Sequence, residues 1–512
     1  MSSQRQRVAL VIGAGPVGAL AALSLYRRGW DVEIWEARDD PRGMEASKMT
    51  NLRSINLNIS ARGLEALRSV DPTLAETMIN ESIPMASRMI HHLDGHTEAQ
   101  AYDPIHGWHS NSISRPVLNQ RLVEALPLEI KMRFNTKLSR LDLNSRKAYF
   151  VTKASKSVPG EEDESAFRTR TSDMQTDNGE EEEVKDFDLI IGADGTWSKV
   201  RQEMMRVERV NFSQEFISHA YIELHMPPDP TKPDGFQMQP NHLHIWPRHS
   251  FMLIALPNKD GSFTMTLFIP FEEAKRLDTR DGALAFFEEH FSSAIDLMGK
   301  ERLLDDLERN PRGNLVTMNV NPSTWKSHVV LLGDAAHSMV PFYGQGLNCG
   351  LEDVRVLNSY LEQYHIGSTT TAPLGRTDPE LSMALETYSK DRDADLRAIC
   401  TLALNNYTEM RSHVLSPLYQ FRRHLDYVLE RLLPSKPEGE LSLTNPFPTR
   451  KVRGWTSLYE MVTFRADIGY AEALRREKWQ REVVSWAGEI AATGLVGGFG
   501  VMSWLLVRQW KR

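Results

Sequence analysis

Apolar positions at the start of the chain change period twice. VALVIG (8–13) is an unbroken apolar run of strand length, AGPVGALAALSLYRRG (14–29) is a helical stretch, and DVEIWEA (31–37) returns to strand. Strand, glycine turn, helix and strand in that order predict a βαβ unit. A further buried strand is predicted at 187–191, running into Gly192-Ala193-Asp194-Gly195. Another lies in HVVLLGD (328–334), with its helix following over 347–364. Between 210 and 270 the pattern differs: AYIELHM, HLHIWPR, FMLIAL and FTMTLFIP alternate or are β-branched and aromatic-rich, punctuated by Pro and Gly. That pattern predicts an antiparallel sheet. Residues 366–380 read as a Thr-, Pro- and Gly-rich linker, and the segment 381–482 as mostly helical.

Two segments stand apart. Residues 152–186 hold 11 acidic and 5 basic residues with almost no large apolar side chains, and are expected to be a disordered acidic insertion. At the other end, Ile490 to Val507 is 18 uncharged residues, with Arg475, Arg476, Lys478 and Arg481 before it and Arg508, Lys511 and Arg512 after it. That length just spans a hydrocarbon core, with Trp486, Trp504 and Trp510 where interfacial aromatics belong. A single C-terminal membrane anchor over 483–512 is expected, inserted into a lipid bilayer after synthesis in the cytosol. The N-terminus shows no secretory pattern.

The fold class expected is therefore α/β. A Rossmann-like dinucleotide-binding domain (1–85, 103–206 and 312–365) joins an antiparallel β-sheet substrate domain (86–102 and 207–311), a C-terminal helical region and the anchor helix. A length of 512 residues agrees with several domains. Hydrophobic residues at 41% and charged residues at 25% exclude a polytopic membrane protein and a wholly disordered one. A net charge of -8, of which the acidic insertion supplies most, leaves no basic field for nucleic acid. Cys349 and Cys400 are too few for a disulfide framework, which points to a reducing compartment, and no histidine spacing suggests a metal.

Three motifs carry chemistry. Gly13-x-Gly15-x-x-Gly18 sits between strand and helix, and Glu36 closes the next strand. The glycines permit a tight turn, close approach of a pyrophosphate to backbone N–H groups, and close helix–strand packing. Glu36 is placed to accept ribose hydroxyls. The second motif is Gly192-Ala193-Asp194-Gly195 with Ser198 and Arg201 after it; the third is Gly333-Asp334-Ala335-Ala336-His337, then Gly344-Gln345-Gly346-Leu347-Asn348. A strand ending on Asp334 can present its carboxylate to a ribityl hydroxyl, and the glycine loop points N–H groups at the pyrimidine edge of a flavin. His337 is read as a turn residue rather than a base.

In this order the motifs resemble the class A FAD-dependent aromatic hydroxylases, over roughly residues 7–370. Within that family the strings RSINLNIS (53–60), PMASRMIH (84–91), GDAAHSMVPFYGQGLNCGLED (333–353), NNYTEMR (405–411) and YEMVTF (459–464) are similar to the kynurenine-hydroxylating branch. The resemblance implies resident FAD and NADPH as a transient co-substrate. It implies oxygen transfer from a flavin hydroperoxide to L-kynurenine, with O₂ as oxidant, and a place in tryptophan breakdown toward NAD. It also implies a mitochondrial outer membrane location with the catalytic part facing the cytosol.

Residue by residue, the resemblance implies that Arg88 binds the substrate carboxylate with Tyr102 as its hydroxyl partner, since a zwitterion in an apolar cavity requires a fork-shaped cation. Asn406, Tyr407 and Tyr470 are the implied polar contacts from the helical region, and Phe342 and Gln345 lie beside the reacting ring. Val17, Arg38, Asn58 and Arg115 are implied FAD neighbours, with Asp194 and Asp334 from the later motifs and Gly346, Leu347 and Asn348 at the isoalloxazine. Two rivals stand beside this reading: a hydroxylase of another aromatic acid, and a membrane-tethered flavoprotein without catalysis. Substrate-dependent NADPH consumption separates them.

Overall fold

The computed structural model describes residues 4–43, 56–152, 182–374, 376–412, 414, 416–492 and 507–508. A six-stranded sheet forms the first layer, in the order Thr324–Trp325, Val329–Leu331, Leu189–Gly192, Val8–Ile12, Asp31–Trp35, Lys131–Arg133. All neighbours are parallel except the Thr324–Trp325 edge. The central strands are buried on both faces, Ala9, Leu10, Val11, Leu189, Ile190 and Ile191 having no exposed surface. This is why they read as continuous apolar runs. The helix Pro16–Arg27 starts with Gly15 as N-cap and Pro16 in its first turn, and packs its Ala- and Leu-rich length into the core under this sheet.

A seven-stranded sheet makes the second layer: Gly313–Asn321, Asn211–Met226, Phe263–Pro270, Phe251–Pro257, His242–Arg248, Ser87–His91, Thr97–Ala101. It is antiparallel except where His242–Arg248 runs beside Ser87–His91. Its alternation serves two cores. Trp246, Leu253, Ala255 and Leu267 face the helices Arg280–His290, Ser292–Met298 and Lys300–Arg309. Ile245, Met252, Ile254 and Phe268 face the opposite way, toward the helix Pro379–Arg411 and the cavity described below.

Two expectations need correction. Gly313–Asn321 belongs to the second sheet, where it pairs with Asn211–Met226, and not to the dinucleotide domain; strand character alone does not say which sheet a strand joins. The acidic insertion is shorter than expected at its C-terminal end. Glu182–Asp186 is a strand paired antiparallel with Lys147–Thr152, Val184 lying opposite Tyr149 and Lys185 reaching Glu33. Residues 153–181 lie outside the described residues.

The C-terminal region is helical over Pro379–Arg411, Pro417–Leu432, Leu458–Thr463 and Tyr470–Ala492. It is clamped to the first layer by a buried ion network. Arg62 holds Glu352 at 2.9 Å, Arg392 holds Glu352 at 2.9 Å and Asp353 at 3.0 Å, and none of these side chains has more than 1% exposure. The Tyr470–Ala492 helix enters the expected anchor, most of which lies outside the described residues. Among the described residues, no helix is long and apolar enough to cross a membrane.

Candidate active site

A cavity of about 550 Å³ runs from the first glycine motif to the face of the second sheet. One end is a trough lined by Gly13, Gly15, Val17, Glu36, Arg38, Asn58 and Arg115, continuing past Asp194, Asp334, Gly346 and Leu347. The glycine spacing has a steric cause. A Cβ on Gly13, whose φ is +102°, would lie 2.4 Å from the Ala193 carbonyl oxygen, and one on Gly18 would lie 2.0 Å from the Gly13 carbonyl. A Cβ on Gly15 would meet nothing within 4 Å. Gly13 and Gly18 thus serve packing, while Gly15 keeps open the space at the helix N-terminus.

Carboxylates bracket the trough. Glu36 accepts from the Ala14 N–H at 2.7 Å and the Arg38 N–H at 2.9 Å, which holds it at the strand end. Asp194 accepts from the Lys199 N–H at 2.7 Å through Oδ2, while its buried Oδ1 has no protein partner. Burial pushes the Asp194 carboxyl above its usual range, against the hydrogen bonds from Ser198, Val200 and Lys199. The buried Asn58 Oδ1 is also without a protein partner. Acceptors at the ends, Arg115 on the wall and an open helix N-terminus between them suit a dinucleotide with a polyol linker.

At the other end the cavity becomes apolar, between Leu243, Met252, Ile254, Leu256, Phe268, Met339, Phe342 and Met410. Phe342 is fixed by stacking on Tyr407 at 3.9 Å and meeting Phe268 edge-on at 4.9 Å. Asn406 lines the cavity and donates to the Phe342 carbonyl at 2.7 Å.

One cation closes this compartment. Arg88, on the Ser87–His91 strand, is buried with its guanidinium 5.6 Å from the Tyr102 ring centroid and 5.3 Å from that of Tyr459. The two rings stack on one another at 4.8 Å. Ser87 pairs with Ala101 across the hairpin, and this register places Tyr102 beside Arg88. Glu409 lies 3.4 Å from Nη1 of Arg88 and accepts from the Tyr419 hydroxyl at 2.7 Å. Burial alone would lower the Arg88 pKa, but Tyr419, Glu409, Tyr102 and Tyr459 raise it well above the usual range. The guanidinium therefore stays charged in an apolar setting, partnered by one carboxylate at long range. Such a group has unused donors for a planar anion.

Not every expected residue reaches the cavity. Tyr470 is buried outside it, its hydroxyl donating to Gln345 Oε1 at 3.1 Å and its ring 4.1 Å from the Arg62 guanidinium. Gln345 is buried likewise, with Nε2 unpartnered. Tyr407 supports Phe342 from behind. Asn348 turns its side chain to the backbone, accepting from the Ser60 N–H and donating to the Asn58 and Gly344 carbonyls. His337 bonds outside its own turn, pairing through Nε2 with Asp353, which also accepts from the Gly333 N–H. Sequence reasoning missed Glu409, Tyr343 and Tyr459, although they lie inside the strings NNYTEMR, GDAAHSMVPFYGQGLNCGLED and YEMVTF. His337, Cys349 and Asp353 lie close enough to hold a metal ion, but Arg392 also reaches Cys349 and Asp353.

The sequence model of the FAD binding domain family matches residues 6–394. Over 511 residues the chain is 63% identical to a kynurenine 3-monooxygenase of Cryptococcus neoformans, covering 100% of this chain and 99% of the relative. The chain belongs to the kynurenine 3-monooxygenase family. A family member from Yarrowia lipolytica is 41% identical over 95% of both chains. Among solved structures, a 2-methyl-3-hydroxypyridine-5-carboxylic acid oxygenase superposes with a TM-score of 0.57 at 18% identity, over 81% of this chain and 95% of that one. This shows the same fold. Membership makes the chain an FAD-dependent monooxygenase, and the trough of Gly15, Glu36, Asp194 and Asp334 fits that cofactor.

Proposed function

We propose that this enzyme hydroxylates L-kynurenine at the ring carbon next to the amino group, giving 3-hydroxy-L-kynurenine, with NADPH as reductant and O₂ as oxidant. The buried Arg88 at the far end of the apolar cavity carries the reading. Its guanidinium takes the α-carboxylate, and Tyr102 adds a hydroxyl whose pKa burial raises, so it stays a donor. The aminophenyl ring then extends along Leu243, Met252, Ile254 and Phe342 toward Gly346 and Leu347. Bound FAD, once reduced, supplies activated oxygen there. The protein's part is orientation and exclusion of water: Phe342, held by Tyr407 and Asn406, sets one ring wall, and Met252, Ile254 and Leu256 keep the site dry. No side chain is needed as a base, because an aniline ring is electron-rich without deprotonation. On this reading Arg88, Tyr102, Asn406 and Phe342 contact substrate, whereas Tyr407, Gln345 and Tyr470 act behind them.

The uncharged stretch 490–507 with its cationic flanks supports a membrane anchor, and the resemblance to the family implies the mitochondrial outer membrane with the catalytic part in the cytosol. The product would then serve tryptophan degradation toward NAD. The test is NADPH oxidation by the purified flavoprotein with and without L-kynurenine, with the product weighed. Strong stimulation and a product heavier by one oxygen support the proposal. No stimulation with FAD bound discards kynurenine as substrate.

A further inference from the structure

The helix Pro417–Leu432 is built inside out. Its side toward the body of the protein is polar: Tyr419 donates to Glu409, Arg422 pairs with Glu477 at 3.0 Å, Arg423 donates to the Ala101 carbonyl, and Asp426 accepts from the Trp455 indole at 2.9 Å. Glu430 is its one buried residue. The outer side is apolar. Leu418, Phe421, Val428 and Leu432 are 75%, 66%, 54% and 69% exposed, and Leu425 between them is half-buried. Positions 418, 421, 425, 428 and 432 follow a three-four spacing, so at 3.6 residues per turn they share an arc of about 80°. The exposed polar residues of the helix are His424 and Arg431, and no acid is among them.

A soluble helix normally turns its apolar stripe inward, so this face requires an apolar partner. Its position says which. Arg422, beside the stripe, holds Glu477 of the Tyr470–Ala492 helix. Leu418 and Arg481 line one cavity of about 370 Å³, which shares Arg88, Tyr102, Tyr343 and Tyr459 with the active site. From Arg481 the C-terminal helix continues past the exposed Trp486 and leads within nine residues, about 13 Å of helix, into the uncharged stretch beginning at Ile490. The stripe thus lies beside the exit of the tail.

We infer that Pro417–Leu432 is a second membrane contact, lying in the plane of the bilayer that receives the tail, with Leu418, Phe421, Leu425, Val428 and Leu432 in the headgroup–acyl boundary and Arg431 toward anionic headgroups. This is the geometry of an interfacial amphipathic helix. It rests on the reading of 490–507 as an anchor, and holds the body of the enzyme against the lipid surface with the mouth of the 370 Å³ cavity near it. A second copy pairing through the same stripe is the competing occupant.

The test uses the full chain carrying Leu418→Cys, Phe421→Cys or Leu432→Cys, labelled with the polarity-sensitive fluorophore NBD. Cys349 and Cys400 are buried, and Leu128→Cys, at a fully exposed loop position, is the control. Phosphatidylcholine vesicles containing phosphatidylserine are added, and co-flotation is measured on the same samples. The inference expects a blue shift and a gain of about twofold or more in emission at all three stripe positions, quenched by lipid carrying a shallow spin label and absent at Leu128→Cys. Co-flotation with water-like emission at the stripe overturns it while leaving the tail anchor standing. Failure to float overturns both. A blue shift that depends on protein concentration without vesicles assigns the stripe to a second copy and also overturns it.

Discussion

Replacing Arg88 with alanine tests the recognition chemistry directly. The guanidinium is buried, kept charged by its surroundings, and partnered by Glu409 at 3.4 Å and by the Tyr102 hydroxyl, which leaves donors of its fork for the ligand. A charge-assisted hydrogen bond is worth about 1.5–3 kcal/mol, which converts to a loss of roughly 10- to 150-fold in affinity. The loss falls in the upper part of that range, because truncation also leaves Glu409 facing the incoming carboxylate. The assay is titration of the bound flavin's absorbance with L-kynurenine and, in parallel, with the corresponding aminophenyl ketone amine lacking the carboxylate. The native enzyme should prefer kynurenine, and Arg88→Ala should lose that preference, binding kynurenine no better than the amine, with flavin content unchanged. Arg88→Lys should recover part of the preference, since it restores charge without the fork. An equal drop for both ligands, or no drop for kynurenine, would refute the assignment of Arg88 to the carboxylate.

Other perturbations have distinct signatures. Gly15→Val should leave the melting temperature of the flavin-free protein nearly unchanged yet abolish FAD retention, whereas Gly18→Ala, whose Cβ meets the Gly13 carbonyl at 2.0 Å, should cost stability even without FAD; equal melting losses would contradict the division of roles. Phe342→Ala removes the wall stacked at 3.9 Å on Tyr407; it should raise the hydrogen peroxide formed per NADPH consumed, and unchanged coupling argues against a positioning wall. Glu430 is pushed well above the carboxylate range by burial and then by Glu460, with Asp103 and Asp426 adding. The folded state keeps a proton that the unfolded chain releases near pH 4.5, so this group's stabilisation is present below that pH and declines as pH rises. Glu430→Gln should therefore flatten the melting temperature between pH 5 and 9 (about the interval affected), and superimposable curves would sink this account.

The first layer was legible because each of its signals is local. A strand buried on both faces is continuous in apolar residues, and Gly13 has no substitute, because a Cβ there would lie 2.4 Å from the Ala193 carbonyl oxygen. The strands around Trp246 and Leu253 were readable as an antiparallel sheet for the same reason, but Phe251–Pro257 is buried at every position, so its sequence does not show which side chains face which core. What escaped depends on distant pairing. Gly313–Asn321 looks like any strand until it is set against Asn211–Met226, and Glu182–Asp186 looks disordered until Val184 lies opposite Tyr149. The site divides likewise. Arg88 and Tyr102 are neighbours through one hairpin register, but Glu409 and Tyr459 arrive from separate helices. Tyr470 and Gln345 bond each other behind the wall, an arrangement that no spacing discloses.

The central claim is that this cavity places the ring of L-kynurenine for oxygen transfer. Turnover under isotopically heavy O₂, with the product analysed by mass and by ring-proton coupling, tests it most directly. The account predicts one heavy oxygen atom per product molecule, attached to the carbon beside the amino group. Heavy hydrogen peroxide equal to the NADPH consumed, with kynurenine recovered intact, would contradict it.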